Sequence, residues 1–352
     1  MRRRSFLRMV STSIVVSSCE NQERLLKPVI TEIHSTVDES VQAIALRTIV
    51  NPLRNLIRGR KSLSDLDLAF LLVRNDDGAV LGYVPTLAED SDFDNIRFGL
   101  REIGSLAKPI TFAIALESRA IATSDLFWDS PMSFPRIDEP SQMYTVSNFA
   151  SRYTNRALNV AEALGRSSNV VALQIFHRIK PAIFREKVKA LRLPEKSLNI
   201  NLGGIGVWAI SPLELAGAYT VFGNDGRLAM THLIKGGSVP HSGYMTVHAS
   251  ERIFSSETCS AILGGMRYCV TTGTGAVAAD LAGSCVGKTG SSTDVWSVLQ
   301  SRVITGLLWI GHRETNRNLA ATGGSLSMPL LAACFRELRK MRPHVFPVWE
   351  IP

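Results

Sequence analysis

The sequence predicts an α+β fold in which one antiparallel sheet is built from both ends of the chain. Strand-like segments occupy residues 66–84 and 283–311, whereas residues 110–266 have a mostly helical pattern. Strands that bracket a helical middle indicate a sheet flanked by helices, with an all-helical subdomain inserted at roughly residues 110–266. With 352 residues, 45% of them hydrophobic, the chain can form one large domain or two ordinary ones.

The elements follow in chain order. Residues Val37–Arg58 have helical spacing of apolar side chains, interrupted near Pro52. Residues Leu66–Arg74 and Ala79–Val84 predict a hairpin with an Asp-Gly turn. After the helical middle, the segments VWSVLQ and VITGLLWIG are close enough to form a second hairpin, and SLSMPLLAACFRELRKM predicts a final helix.

Residues 1–19 resemble an export signal. A basic start is followed by a short apolar run and small residues, and the segment RRSFLR resembles a twin-arginine motif. The segment VSSC resembles a lipoprotein cleavage box, which predicts a lipid on Cys19 and attachment to a membrane. A disordered basic tail with a chance cysteine is the alternative. Residues 20–352 are then the predicted folded domain.

Charge and metal-ligand spacing exclude several function classes. The formal net charge is +8, but four of the positive residues lie within the first eight positions, and no basic block interleaves with aromatic residues. Nucleic-acid binding is therefore not expected. The seven histidines are scattered, so neither a metal site nor a cofactor is predicted.

The cysteines other than Cys19 match no zinc pattern. Cys259 and Cys269 lie in one predicted helix, too far apart along it to form a disulfide bond. We expect buried free thiols at these two positions and at Cys285 and Cys334. A disulfide bond is the alternative in an oxidising compartment.

A Ser-x-x-Lys pattern, Ser105 and Lys108, stands at the head of the apolar run PITFAIALE. If Ser105 opens a helix, Lys108 lies one turn later on the same face. A lysine beside apolar residues loses hydration, which lowers its pKa. A neutral amine there can accept the hydroxyl proton and make Ser105 a nucleophile.

Two further patterns can complete such a site. Ser167 and Asn169 lie in the segment GRSSNVVAL, where a helix cap is the alternative interpretation. Lys288 and Thr289 are followed by Gly290 in the segment GKTGSS, where a turn at a strand edge is the alternative. An amine beside a hydroxyl can bind a carboxylate, and a backbone N–H after Gly290 can join an oxyanion hole.

In this order, the three patterns resemble those of β-lactamases and penicillin-binding proteins. The chain is similar to the transpeptidase domain of class A penicillin-binding proteins, in particular the 1C branch, from about residue 29 to residue 338. The segments GSLAKP, SSNVVAL, ISPLELAGAYTVFGNDG, TTGTGAVAADLAGSCVGKTG and ATGGSLSMPLL carry the resemblance.

The resemblance implies a β-lactamase/transpeptidase-like fold and assigns a role to each residue. Ser105 would be acylated by a D-Ala–D-Ala stem peptide of peptidoglycan, or by a β-lactam, with Lys108 as its base. Ser167 would shuttle protons and Asn169 would hold the peptide. The substrate carboxylate would bind to Lys288 and Thr289 beside Gly290, and the N–H groups of Ser105 and Ser291 would stabilise the oxyanion.

The chain departs from the family pattern in three places. Ile103 replaces a proline, Ser291 and Ser292 replace threonines, and the link from Gly290 to Asp294 is shorter than usual. Only about 80 residues of the predicted domain lie upstream of Ser105, so we expect no glycosyltransferase domain. Whether a separate glycosyltransferase partner exists stays open. The resemblance also implies a periplasmic or cell-envelope location.

Alternative functions remain. Hydrolysis of the acyl-enzyme would make the protein a D,D-carboxypeptidase. Glu195 in the segment EKSLN fits the pattern of the deacylating glutamate of class A β-lactamases, although its neighbours resemble the penicillin-binding family. A sensor that binds muropeptides or β-lactams without turnover is a third alternative. The segment GTGAVA at residues 273–278 mimics a dinucleotide-binding turn but leaves little chain for such a domain.

Overall fold

The computed structural model describes residues 32–88, 93–238, 250–313 and 317–351. The predicted export signal and Cys19 lie outside the described residues. Across the described ranges, no helix has the length and apolar character needed to cross a bilayer.

Strands and helices alternate through the described residues. The strands are β1 (Glu32–Ser35), β2 (Leu66–Arg74), β3 (Val80–Val84), β4 (Arg101–Glu102), β5 (Leu126–Trp128), β6 (Met132–Pro135), β7 (Met143–Val146), β8 (Ala157–Asn159), β9 (Ala209–Ile210), β10 (Arg227–Leu228), β11 (Ile234–Ser238), β12 (Glu251–Arg252), β13 (Val286–Ser291), β14 (Val295–Gln300) and β15 (Ile304–His312). The α-helices are α1 (Glu39–Ala45), α2 (Asn51–Ile57), α3 (Asn95–Phe98), α4 (Ala107–Glu117), α5 (Val160–Arg166), α6 (Asn169–Phe176), α7 (Pro181–Ala190), α8 (Pro212–Gly223), α9 (Ser256–Thr271) and α10 (Met328–Met341).

The main sheet has five antiparallel strands in the order β13-β14-β15-β2-β3. Strands β2 and β3 come from the N-terminal part and the other three from the C-terminal part, as predicted. Both predicted hairpins are present, and β15 pairs along its whole length with β2, from Ile304 opposite Arg74 to His312 opposite Leu66. The α+β class and the sheet built from both chain ends are confirmed.

The sheet separates two hydrophobic cores. Alternate side chains of β2 point to opposite faces, so Ala69 and Leu71 join one core while Leu68 and Phe70 join the other. Helix α4 packs into the first core, and α1 and α10 pack into the second. Because both faces are covered, β2 is apolar at almost every position rather than at every second one.

The inserted middle is not all-helical, which corrects one detail of the prediction. It contains most of α4, all of α5 to α8 and most of α9, but also the short pairs β5–β8, β6–β7 and β10–β12. It also contains β9 and β11, which pair with β4 and β1 outside it. Pro131, Pro135 and Pro140 interrupt the chain between β5 and β7. Proline removes a helical hydrogen bond and clashes with the preceding turn, so this stretch pairs as strands instead.

The interruption predicted near Pro52 takes the form of a widened turn rather than a break. Residues Leu46–Val50 form a π-helical turn between α1 and α2, and the N–H of Asn51 donates to Leu46 O. Pro52 then lies in the first turn of α2, where a missing N–H is tolerated.

The thiols follow the sequence prediction within the part of the chain that the structure describes. All four cysteines there are free and buried, at positions Cys259, Cys269, Cys285 and Cys334.

Candidate active site

An open cleft of about 820 Å³ lies between the main sheet and the helical middle. Five of the residues selected from the sequence line it: Ser105, Ser167, Asn169, Thr289 and Ser291. They come from three separate segments, and the most distant two lie almost 190 positions apart along the chain. The three sequence patterns therefore meet at one surface.

Ser105 lies in a 3-10 turn, Gly104–Leu106, that leads directly into α4. Lys108 is in the first turn of α4, and its Nζ lies 2.9 Å from Ser105 Oγ. Helix α4 is apolar on all sides and central, so the Lys108 side chain is fully buried. Ser105 itself is half-buried and faces the cleft.

The Ser167 turn joins α5 to α6. Ser167 ends α5 in the left-handed conformation, with φ of 62°, which directs its hydroxyl to the two amines. Its Oγ lies 3.1 Å from Lys108 Nζ and 2.9 Å from Lys288 Nζ. Ser168 caps α6, so the cap interpretation is also correct for that residue. Asn169 begins α6 and accepts a hydrogen bond from Lys108 at Oδ1, 2.7 Å away.

Lys288 extends from β13 and is fully buried like Lys108. Besides Ser167 Oγ, its Nζ donates to Thr289 O at 2.9 Å. Burial lowers the pKa of Lys288 to about 8. The amine is therefore mostly protonated at neutral pH and supplies the positive charge of the site.

Lys108 is the second buried amine of the site. Burial lowers the pKa of Lys108 well below its ordinary value, the positive charge of Lys288 lowers it further, and Asp129 opposes the shift. A neutral amine has two N–H groups and one lone pair. Ser167 O at 2.6 Å and Asn169 Oδ1 at 2.7 Å are acceptors that can take both N–H groups. In its neutral form, Lys108 would therefore keep its lone pair for the hydroxyl of Ser105.

The backbone of Ser291 packs against the Ser105 turn. A Cβ added to Gly104 would lie 3.0 Å from Ser291 O and 3.5 Å from Ser291 N, so no side chain separates the two segments. Gly290 makes the same approach to Ile103, whose carbonyl oxygen would lie 3.0 Å from an added Cβ. The backbone N–H groups of Ser105 and Ser291 therefore belong to adjoining edges of the cleft.

Sequence reasoning missed the buried carboxylate that holds the Ser167 turn. Asp129 accepts hydrogen bonds from Ser168 Oγ and Asn148 Nδ2, both at 2.7 Å, and from the backbone and hydroxyl of Thr154. Burial alone would raise the pKa of Asp129, but these hydrogen bonds outweigh it and lower the pKa. Asn148 Oδ1 in turn accepts from the N–H of Asn169 at 2.8 Å. The network fixes the first turn of α6.

Family comparison agrees with this geometry. The family profile described as "Penicillin binding protein transpeptidase domain" matches residues 69–300, about two thirds of the sequence. The chain belongs to this family. Sequence relatives include penicillin-binding protein 1F of Bacillus subtilis, which is 27% identical over 239 residues that cover 64% of this chain and 32% of that protein. Penicillin-binding protein 1B of Escherichia coli is 26% identical over 315 residues, covering 85% and 36%.

The transpeptidase domain also resembles solved structures. PonA1 of Mycobacterium tuberculosis in complex with penicillin V superposes with a TM-score of 0.72 at 16% identity, covering 91% of this chain and 88% of that one. Structural similarity at 16% sequence identity supports the fold assignment alone. The chain spans about a third of the length of the sequence relatives named above. Those relatives are of the 1F and 1B types, so the 1C-like assignment stays a prediction.

In this transpeptidase domain, the serines and the short link that depart from the family pattern lie where β13 connects to β14. Strands β13 and β14 pair from Ser291 opposite Val295, so a loop of only three residues joins them. Ser291 Oγ accepts from the N–H of Gly323 at 3.0 Å, and Ser292 Oγ donates to Glu102 O at 3.3 Å. These bonds tie the short link to β4, just before the Ser105 turn, and to the segment that precedes α10.

Neither the glutamate motif of β-lactamases nor the motif of a dinucleotide-binding turn has the structural setting that its function requires. Glu195 is exposed and is not among the residues that line the cleft. The segment at residues 273–278 follows helix α9 rather than a strand and leads into a 3-10 helix. A dinucleotide fingerprint requires a strand before its glycines. Across the described ranges, no cluster of three or more His, Cys, Asp or Glu side chains could hold a metal ion.

Proposed function

We propose that the chain is a serine D,D-transpeptidase that forms an acyl-enzyme at Ser105 and cross-links peptidoglycan stem peptides. One observation carries the proposal: the hydroxyl of Ser105, in an open cleft, lies 2.9 Å from a fully buried lysine amine whose pKa burial lowers. A neutral amine at hydrogen-bond distance is what a serine nucleophile requires of its base.

Acylation would begin when Ser105 Oγ attacks the carbonyl carbon between the two D-alanines. The hydroxyl proton passes to Lys108 Nζ as the Oγ–C bond forms. Because Ser167 Oγ lies between the two amines, it can relay a proton from Lys108 to the leaving amine. The C–N bond then breaks, the terminal D-alanine departs, and Ser105 carries an ester.

In the second half-reaction, the amine of another stem peptide attacks the ester carbon. The amine loses its proton to Lys108 as the C–N bond of the new amide forms. The Oγ–C ester bond then breaks, and Lys108 returns the proton to Ser105 Oγ. Water attacking instead would release a shortened stem peptide. The two outcomes use the same residues and differ only in the acceptor.

Substrate binding would depend on the charge of Lys288. The terminal carboxylate of the stem peptide, or the carboxylate of a β-lactam, would bind to the hydroxyl of Thr289 in the cleft wall. The charge of Lys288, which is fully buried behind that wall, would attract the carboxylate without contacting it. Asn169 Nδ2 donates to Ser147 O at 2.9 Å, which leaves its second N–H for the peptide. PonA1, a structural relative, has been solved with penicillin V, which supports β-lactam binding in this family's fold.

The proposal places the protein at the cell envelope. Substrates with D-Ala–D-Ala ends occur in the cell wall, and the basic, apolar start of the sequence predicts export into the periplasm. A lipid on Cys19 and a separate glycosyltransferase partner remain predictions of the sequence.

The proposal is tested by D-alanine release from a synthetic pentapeptide that ends in D-Ala–D-Ala, with and without an added amine acceptor. We expect wild-type protein to release D-alanine and to form the amide product with the acceptor. Ser105→Ala should lower both by about 10³-fold or more, because the nucleophile is lost. Ser260→Ala, in helix α9 outside the cleft, is the matched control and should behave as wild type.

The products separate the alternatives. Release of D-alanine without amide product would identify a carboxypeptidase, and rapid turnover of nitrocefin would identify a β-lactamase. A wild-type protein that releases no D-alanine and becomes acylated only once would contradict the proposal and favour the sensor.

A further inference from the structure

The glycine-flanked turn at residues 273–275 forms part of the cleft wall. Thr272, Gly273 and Thr274 all line the cleft beside Thr289. The proposed carboxylate-binding strand, β13, therefore does not form this wall alone. The turn comes from a different segment, the end of helix α9, and its role is not explained by the three sequence patterns.

Thr274 makes a direct hydroxyl contact with Thr289. Their Oγ1 atoms lie 2.5 Å apart, and either can be the donor. Thr274 Oγ1 also lies 3.4 Å from the sulfur of Cys269, a fully buried thiol in α9. The thiol of Cys269 and the hydroxyls of Thr274 and Thr289 thus form a hydrogen-bonded series that runs from the core to the cleft.

Tight packing holds the turn in place. A Cβ on Gly273 would lie 2.2 Å from Gly165 O, and a Cβ on Gly324 would lie 2.4 Å from Thr274 O. The N–H of Gly275 donates to Cys269 O at 3.0 Å. Thr274 is therefore fixed by its backbone, while its side chain stays exposed to the cleft.

The direction of the hydroxyl bond matters for binding. Each threonine hydroxyl has one proton, so Thr289 can donate either to Thr274 or to a ligand, but not to both. A carboxylate can only accept. When Thr274 donates to Thr289, the Thr289 proton is free to point at the carboxylate.

We propose that Thr274 is a positioning residue that orients the Thr289 hydroxyl toward the carboxylate of the substrate or β-lactam. The inference rests on the proposed function, because it concerns the same acyl-accepting cleft. It adds a fourth chain segment to the binding site, and it assigns a task to the turn at residues 273–275.

The test compares a penicillin with the methyl ester of the same penicillin. Thr274→Val keeps the shape of the side chain and removes its hydroxyl, whereas Thr274→Ser keeps the hydroxyl. We expect Thr274→Val to lower the second-order acylation rate constant about tenfold for the free acid and less than twofold for the ester. Thr274→Ser should stay within about twofold of wild type for both. Because Thr274 is exposed, neither substitution threatens folding.

Equal slowing of acid and ester by Thr274→Val would show a general structural effect and overturn the inference. No slowing of either, or slowing by Thr274→Ser as large as that by Thr274→Val, would also overturn it. These outcomes leave the proposed function intact, because wild-type protein would still be acylated. A wild-type protein that forms no adduct with either probe would overturn both proposals.

Discussion

Replacing Lys108 with methionine should slow acylation by penicillin about 10²- to 10⁴-fold, the usual contribution of a general base. Methionine has a similar length and no amine, so Ser105 would lose the group that accepts its proton. The fold should persist, because an apolar side chain suits a fully buried site. The measurement is the second-order rate constant for a fluorescent penicillin, with the circular dichroism spectrum as the check on folding.

Two further variants sharpen this experiment. Lys108→Arg introduces a guanidinium that stays charged and cannot release its proton, so it should be as inactive as Lys108→Met. Lys187→Met removes a half-buried amine from α7, outside the cleft, and should retain the wild-type rate. Near-normal acylation in a folded Lys108→Met or Lys108→Arg protein would disprove the role of Lys108 as base.

Replacing Gly206 with alanine should lower both the stability and the acylation rate of the protein. Gly206 has φ of +92°, and an added Cβ would lie 1.9 Å from Gly104 O. The N–H of Gly104 donates to Gly206 O at 3.1 Å, so the two backbones are already in contact. We expect a loss of about 3 kcal/mol in the free energy of unfolding, from backbone strain and steric overlap together.

The acylation rate of the folded Gly206→Ala protein should also fall, independently of the loss of stability. Gly104 directly precedes Ser105, and a displacement of about 1 Å at a nucleophile can cost about 10²-fold in rate. Urea unfolding and the acylation rate constant of the folded fraction measure the two effects. The control is Gly264→Ala in helix α9, where an added Cβ meets nothing within 4 Å. That variant should gain up to about 1 kcal/mol and keep its rate. A Gly206→Ala protein with wild-type stability and rate would contradict the packing described here.

The sequence predicts those parts of the fold that depend on local patterns. Alternating or continuous apolar runs with an Asp-Gly turn identify the β2–β3 hairpin, and helical spacing identifies α10. The spacing of Ser105 and Lys108 predicts that they share one helix face, and their atoms lie 2.9 Å apart. These features depend only on residues that lie close together in the sequence.

Contacts between distant segments have no such local signal. Asp129 and Asn148 are isolated polar residues in irregular stretches, and only the folded chain shows that they hold the turn around Ser168. Thr274 lies in a segment that resembles a nucleotide-binding turn, so its pattern points to the wrong chemistry. The pairing of β5 with β8 has no local signal because about 30 residues lie between the two strands.

The convergence of the three sequence patterns is predicted only by family resemblance, because no physical rule links residues so far apart in sequence. Once folded, the chain brings Lys108 and Lys288 to one hydroxyl, that of Ser167. Burial lowers the pKa of Lys108, and the positive charge of Lys288 close by lowers it further.

Mass spectrometry of the protein after exposure to penicillin, followed by peptide mapping, tests the role of Ser105 most directly. We expect a single covalent adduct, located on Ser105 and lost in Ser105→Ala. No adduct on the folded wild-type protein, or an adduct on another residue that persists in Ser105→Ala, would contradict it.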